Sequence, residues 1–131
     1  MPFQLSNDQT QAVLKKDTAK RHSYFITKIV GWQQLWGAKK GDQWLVPKSP
    51  EKFEYFPLWP HPKCAQQALA VHFPGYEASE ISLAELLEYW LPLFSHNNVQ
   101  PAVFPNHEWA FSSVEASQLD QQLRKELAKY G

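Results

Sequence analysis

The chain has 131 residues, 44% of them apolar and 20% charged, which fits one globular domain and excludes an intrinsically disordered chain. Thirteen Lys/Arg balance thirteen Asp/Glu, so a surface built for the nucleic-acid backbone is not expected. No run approaches the ~18 consecutive apolar residues of a membrane span, and the single cysteine, Cys64, excludes an intrachain disulfide.

The start, Met1-Pro2-Phe3-Gln4-Leu5-Ser6-Asn7-Asp8, lacks the basic residues and apolar run of a leader peptide, so a cytoplasmic protein is expected. Ser6 is a polar cap before a short helix over 6–16, whose apolar content is only Ala12, Val13 and Leu14. Asp17 caps a second helix reaching Val30, with Gly31 as its stop. Ala19, His22, Ile26, Ile29 and Val30 share one face beside Phe25, while Lys20, Arg21, Thr27 and Lys28 turn away. The runs 33–38 and 43–47 flank Lys39-Lys40-Gly41-Asp42 and read as a hairpin. A third strand follows over 53–59, and Pro57 places it at an edge or ends its pairing. Pro60-His61-Pro62 can begin a helix whose apolar face is Cys64, Ala65, Ala68, Leu69 and Val71.

Ser82-Leu83-Ala84-Glu85 has the S-x-x-E form of a capping box, in which each terminal side chain bonds the other residue's amide. Leu83, Leu86, Leu87, Trp90, Leu91 and Phe94 then make one wide apolar stripe, with Pro92 interrupting the last turn by a kink or an early end. Asn97-Asn98 is a turn, 99–105 and 109–114 read as strands, and 115–130 is a closing helix with Leu119, Leu123 and Leu127 in line. The fold class is therefore α+β: a single domain with a mostly antiparallel sheet of about five strands and helices packed on one face.

The neutral total hides an asymmetry. Residues 1–63 carry ten Lys/Arg and five acids, whereas 64–123 carry seven acids and no Lys or Arg. The two halves can interleave on the surface, or they can form opposed patches that suit a polar partner or head-to-tail self-contact.

The histidines His22, His61, His72, His96 and His107 show no H-E-x-x-H or H-x-H spacing, so no metal and no cofactor is expected. His61 stands three residues before Cys64 at a helix start, where a thiol could be activated, although the same cysteine opens an apolar face. Glu85 and Glu88 resemble a carboxylate pair, but the cap explains one and a solvated face the other. The chain has six Trp, five Tyr and eight Phe, most of which core filling explains. The densest aromatic motif is Phe56-Pro57-Leu58-Trp59-Pro60-His61-Pro62, stiffened by its prolines. It is either a corner where strand meets helix or a rigid recognition surface. The candidate binding surface is Trp36, Trp59, His61 and Trp109.

Tyr24-Phe25-Ile26-Thr27-Lys28, Leu35-Trp36-Gly37, Pro57-Leu58-Trp59-Pro60, Leu86-Leu87-Glu88-Tyr89-Trp90-Leu91-Pro92 and Val103-Phe104-Pro105 follow one another in an order that resembles the bacterial domain of unknown function 2750 family. The resemblance spans about residues 20–129, leaving 1–19 as a helical extension, and the loop 47–54 is longer and more basic than the family pattern. It implies a small, single-domain cytoplasmic protein and supplies no catalytic residues. Two functions remain open. One is a non-catalytic protein-interaction module of accessory or immunity type, monomeric or weakly dimeric, with a protein partner and neither nucleic acid nor membrane. The other is a small-molecule binder or enzyme with a pocket near Trp59, His61 and Cys64; a concave pocket around His61 would favour it.

Overall fold

The computed structural model describes residues 6–130; the start read above for a leader falls mainly on 1–5, which with Gly131 lies outside the described residues. Helix α1 (Asn7–Leu14) begins in a full capping box: the Gln9 N–H donates to Ser6 Oγ, and the Ser6 N–H to Gln9 Oε1. Asp17 caps α2 (Thr18–Trp32) by accepting the Lys20 N–H at 2.8 Å. This helix runs through Gly31 and stops at Gln33, which takes the left-handed conformation (φ 57°). The stop expected at Gly31 therefore lies two residues later. Phe25, Ile26, Ile29 and Val30 are buried as their spacing predicts, but Ala19 is exposed.

β1 (Gln34–Lys40) and β2 (Gln43–Trp44) form the expected hairpin about Gly41, whose φ of +63° fits the tight turn. β3 (Glu54–Leu58) precedes α3 (Pro62–His72), where Cys64, Ala65, Ala68 and Leu69 are buried. Val71, expected on that face, is 60% exposed because the face turns away from it in the last turn. β4 (Glu77–Ser82) follows, a strand without the alternation that marks one in sequence.

The Ser82 box holds: the Glu85 N–H reaches Ser82 Oγ at 3.0 Å and the Ser82 N–H reaches Glu85 Oε1 at 3.2 Å. It starts α4 (Leu83–Glu85), which continues as a π-helical segment (Leu86–Trp90) and then α5 (Leu91–Asn97). The Leu91 N–H bonds the Leu86 carbonyl, one residue beyond the α spacing, just before Pro92. Proline disturbs the bonding register of the preceding turn, and the wider π turn absorbs this, so the helix continues to Asn97 instead of ending early. Asn98 closes it in the left-handed conformation (φ 58°).

β5 (Val99–Val103), β6 (Ser112–Ser113) and α6 (Ala116–Leu127) complete the domain, with a 3₁₀ turn at Ala128–Tyr130. The strand expected over 109–114 shrinks to two residues because Trp109 has φ 62°, incompatible with a strand.

The α+β class stands, with six strands among the described residues, in two three-stranded sheets ordered β2-β1-β4 and β3-β5-β6. Only the β3–β5 pair is parallel. Trp36 and Trp59 join the sheets through an antiparallel bridge. Along β3, the Tyr55 N–H goes to the Pro47 carbonyl and the Trp59 N–H to that of Trp36. Pro57 lies between them, so its missing donor falls on the side away from β5, and no ladder bond is lost. Phe25, Ile29, Leu35, Phe56, Leu58, Trp59, Leu69, Leu86, Phe104 and Leu119 are among the buried side chains of one core.

Candidate functional site

His61 occupies the cap position of α3 in extended conformation, with Pro62 opening the helix. Its Nε2 lies 2.6 Å from the Tyr24 hydroxyl, and its ring is 4.9 Å from that of Trp32. Both His61 and Cys64 are fully buried. Burial pushes the Cys64 thiol up to about 12. Burial, and secondarily the nearby Cys64, raises the Tyr24 phenol to about 12 as well. A nucleophilic cysteine needs the opposite, a depressed thiol pKa and access to substrate. Trp59 is also fully buried and donates its indole N–H to the Pro105 carbonyl at 2.9 Å; Trp36 is buried beside it.

Of the four residues read as a binding surface, three therefore lie inside, because they stand where the two sheets and α3 converge. Trp109 alone is half-buried: it packs on Trp59, His72 and Phe73, and its indole N–H donates to the Tyr55 hydroxyl at 2.8 Å.

Trp109 belongs to a constrained loop. Phe104 and Trp109 both hold positive φ, at 60° and 62°. The Asn106 side-chain oxygen accepts the Glu108 and Ala110 N–H groups. Beneath it lies Arg21, expected on the solvent face of α2 but only 2% exposed. Its guanidinium donates to the carbonyls of Phe104 (3.1 Å), Ala110 (2.9 Å) and Lys16, which explains the burial. Desolvation lowers its pKa, opposed by Asp17 and then Glu108. His72 donates from Nε2 to the His107 carbonyl, and His107 Nε2 donates to Gln67 Oε1, which also accepts from Gln11. These bonds fasten the loop to α3 and α1.

Surface grooves occur elsewhere. Two adjoining clefts, of about 330 and 320 Å³, share Ser95, Ala116 and Ser117 between α5 and α6. A third, of about 320 Å³, runs between α2 and α6 past His22 and Lys125.

An open strand edge lies along β4. Its register with β1 pairs Leu35 with Ile81, Gly37 with Ser79 and Lys39 with Glu77, and just beyond them the Leu83 N–H bonds the Gln33 carbonyl. Antiparallel pairs alternate between bonded and non-bonded types, so residues 77, 79 and 81 turn their backbone groups to β1. Ala78, Glu80 and Ser82 turn theirs outward. β4 is the sheet's edge, and the Ser82 N–H is already taken by Glu85. Ala78 is half-buried and Glu80 exposed. Exposed Glu77, Glu85 and Glu88 flank them, and Tyr89, 58% exposed, follows. Gln34 bonds the Glu80 carboxylate from the adjacent strand. In the sequence this strand is marked only by the stretch of acids unbroken by Lys or Arg.

The family model described as "Protein of unknown function (DUF2750)" matches residues 22–123. The chain belongs to this family. No curated protein and no solved structure matches it. The DUF2750 match takes in Trp36, Trp59, His61, Cys64, the Phe104–Ala110 loop and the whole of β4, and begins after α1.

Proposed function

We propose that this DUF2750 chain is a non-catalytic protein-interaction module of accessory or immunity type, acting in the cytoplasm as a monomer or weak homodimer. The observation that carries this reading is the acidic edge strand β4, whose outward amides and carbonyls at Ala78 and Glu80 are free to pair with another chain. The burial of Cys64, His61 and Trp59 supports the same reading, because these residues fill the centre of the fold. Trp36, Trp59 and His61 then form the frame behind the surface, and Trp109 is the one ring of the four that reaches solvent.

The charge halves interleave where Lys39 stands opposite Glu77. Glu77, Glu80, Glu85 and Glu88 make no ion pair among the described residues. The edge is therefore acidic from Glu80 onward, while at its start Lys39 faces Glu77 and the Lys40 ammonium lies over the Tyr76 ring.

Affinity purification from the native host, followed by sedimentation of the chain with each purified candidate, tests the reading. A stoichiometric complex is expected. Stabilisation by a fraction of host metabolites, with no protein forming a complex, would contradict it.

A further inference from the structure

We infer that the partner docks on β4 as an extended, basic segment, adding a strand beside Ala78 and Glu80. This rests on the interaction-module reading and names the chemistry of its partner. The register leaves two N–H and two C=O groups facing outward between Tyr76, whose N–H bonds Phe73, and Ser82, whose N–H bonds Glu85. An antiparallel strand of about five residues satisfies all of them, because bonded pairs recur every second residue.

The charges select the occupant. Glu77 and Glu80 lie on opposite faces of β4. Lys39 already stands across from Glu77, whereas Glu80 meets no cation among the described residues, so lysine or arginine on the partner complements Glu80 first. A second copy fits poorly: the β4–β4 register that pairs Ala78 with Glu80 brings the two Glu80 carboxylates diagonally across the seam on one face, and the opposite edge, β2, has only two residues. The other edge-exposed possibility, a neutral apolar strand, would leave the carboxylates uncompensated.

The test uses the full ¹⁵N-labelled chain and a capped synthetic peptide alternating lysine and valine, with a glutamate–valine peptide as control. Amide exchange at Ala78 and Glu80 should slow about tenfold or more with the lysine peptide at low salt, and the protection should weaken as salt rises. Ser79 and Ile81, already bonded to β1, should not change. The control peptide should protect neither pair. Glu80→Pro removes one outward donor without touching the β1 ladder, so it should abolish the protection while the melting temperature is unchanged. Glu80→Lys keeps the backbone donor and should weaken the lysine peptide about tenfold or more. Unslowed Ala78 and Glu80 amides, or equal protection by the acidic peptide, overturn the inference. If a purified host partner forms a stoichiometric complex that protects another surface, the docking site falls and the module reading stands. If no protein partner forms a complex, the module reading itself falls.

Discussion

Trp36 and Trp59 exchange two backbone hydrogen bonds, at 2.9 and 2.8 Å, and these are the seam between the two sheets. Each residue continues a different strand run, and each buries its indole where the seam closes. The rings that sequence alone offers as a recognition surface are thus the hub on which β1, β3 and α3 meet.

Trp59→Ala should cost about 3–5 kcal/mol in chemical denaturation, the range for deleting a fully buried tryptophan. Trp59→Phe should cost less but more than zero, because the Pro105 carbonyl loses its indole donor. A fully exposed ring would give changes near zero in both.

Cys64 should react slowly with a thiol reagent in the native chain at pH 8 and rapidly in denaturant, since its thiol is buried and held protonated up to about 12. The pH dependence has a definite sign. Unfolding releases the thiol to its ordinary value of 9.0, so above pH 9 the unfolded chain binds fewer protons than the native one, and stability falls as pH rises towards 12. Tyr24, raised from 10.0 to about 12, adds in the same direction above pH 10. Cys64→Ala should flatten the decline between pH 9 and 10 in urea titrations; an unchanged slope would show that the thiol is not shifted.

Arg21→Lys should destabilise the chain by about 2 kcal/mol or more, because one ammonium cannot reach the separate carbonyls of Phe104 and Ala110 that the guanidinium spans. The Phe104–Ala110 loop should loosen with it, exposing Trp109 to an aqueous fluorescence quencher. Native-like stability and quenching would mean that the loop holds its own shape.

Ser82→Ala should cost about 0.5–2 kcal/mol by leaving the Glu85 amide without its hydroxyl acceptor. A denaturation midpoint that does not move would place the start of that helix elsewhere.

The parts of the fold legible in sequence are those set by near neighbours. Asp17 and Ser82 announce their helices because a cap bonds an amide three residues away. The stripe from Leu83 to Phe94 follows from helical period alone, apart from half-buried Trp90. What sequence does not reveal depends on distant partners. The parallel β3–β5 pairing brings together residues some forty-five apart in the chain. Arg21 reads as solvated because the carbonyls that bury it arrive from Phe104 and Ala110. The site was half legible: Trp59, His61 and Cys64 stand out as a motif, yet their burial is decided by α3 and both sheets together. β4 was invisible, because Glu-Ala-Ser-Glu-Ile-Ser has one large apolar residue and becomes a strand only against β1.

Amide hydrogen exchange of the free chain tests the open edge most directly. The account predicts that Ala78 and Glu80 exchange rapidly while their neighbours Ser79 and Ile81, bonded to β1, are slower by about tenfold or more. Slow exchange at Ala78 and Glu80 in the free chain, equal to that of Ser79 and Ile81, would show the edge already paired and contradict the account.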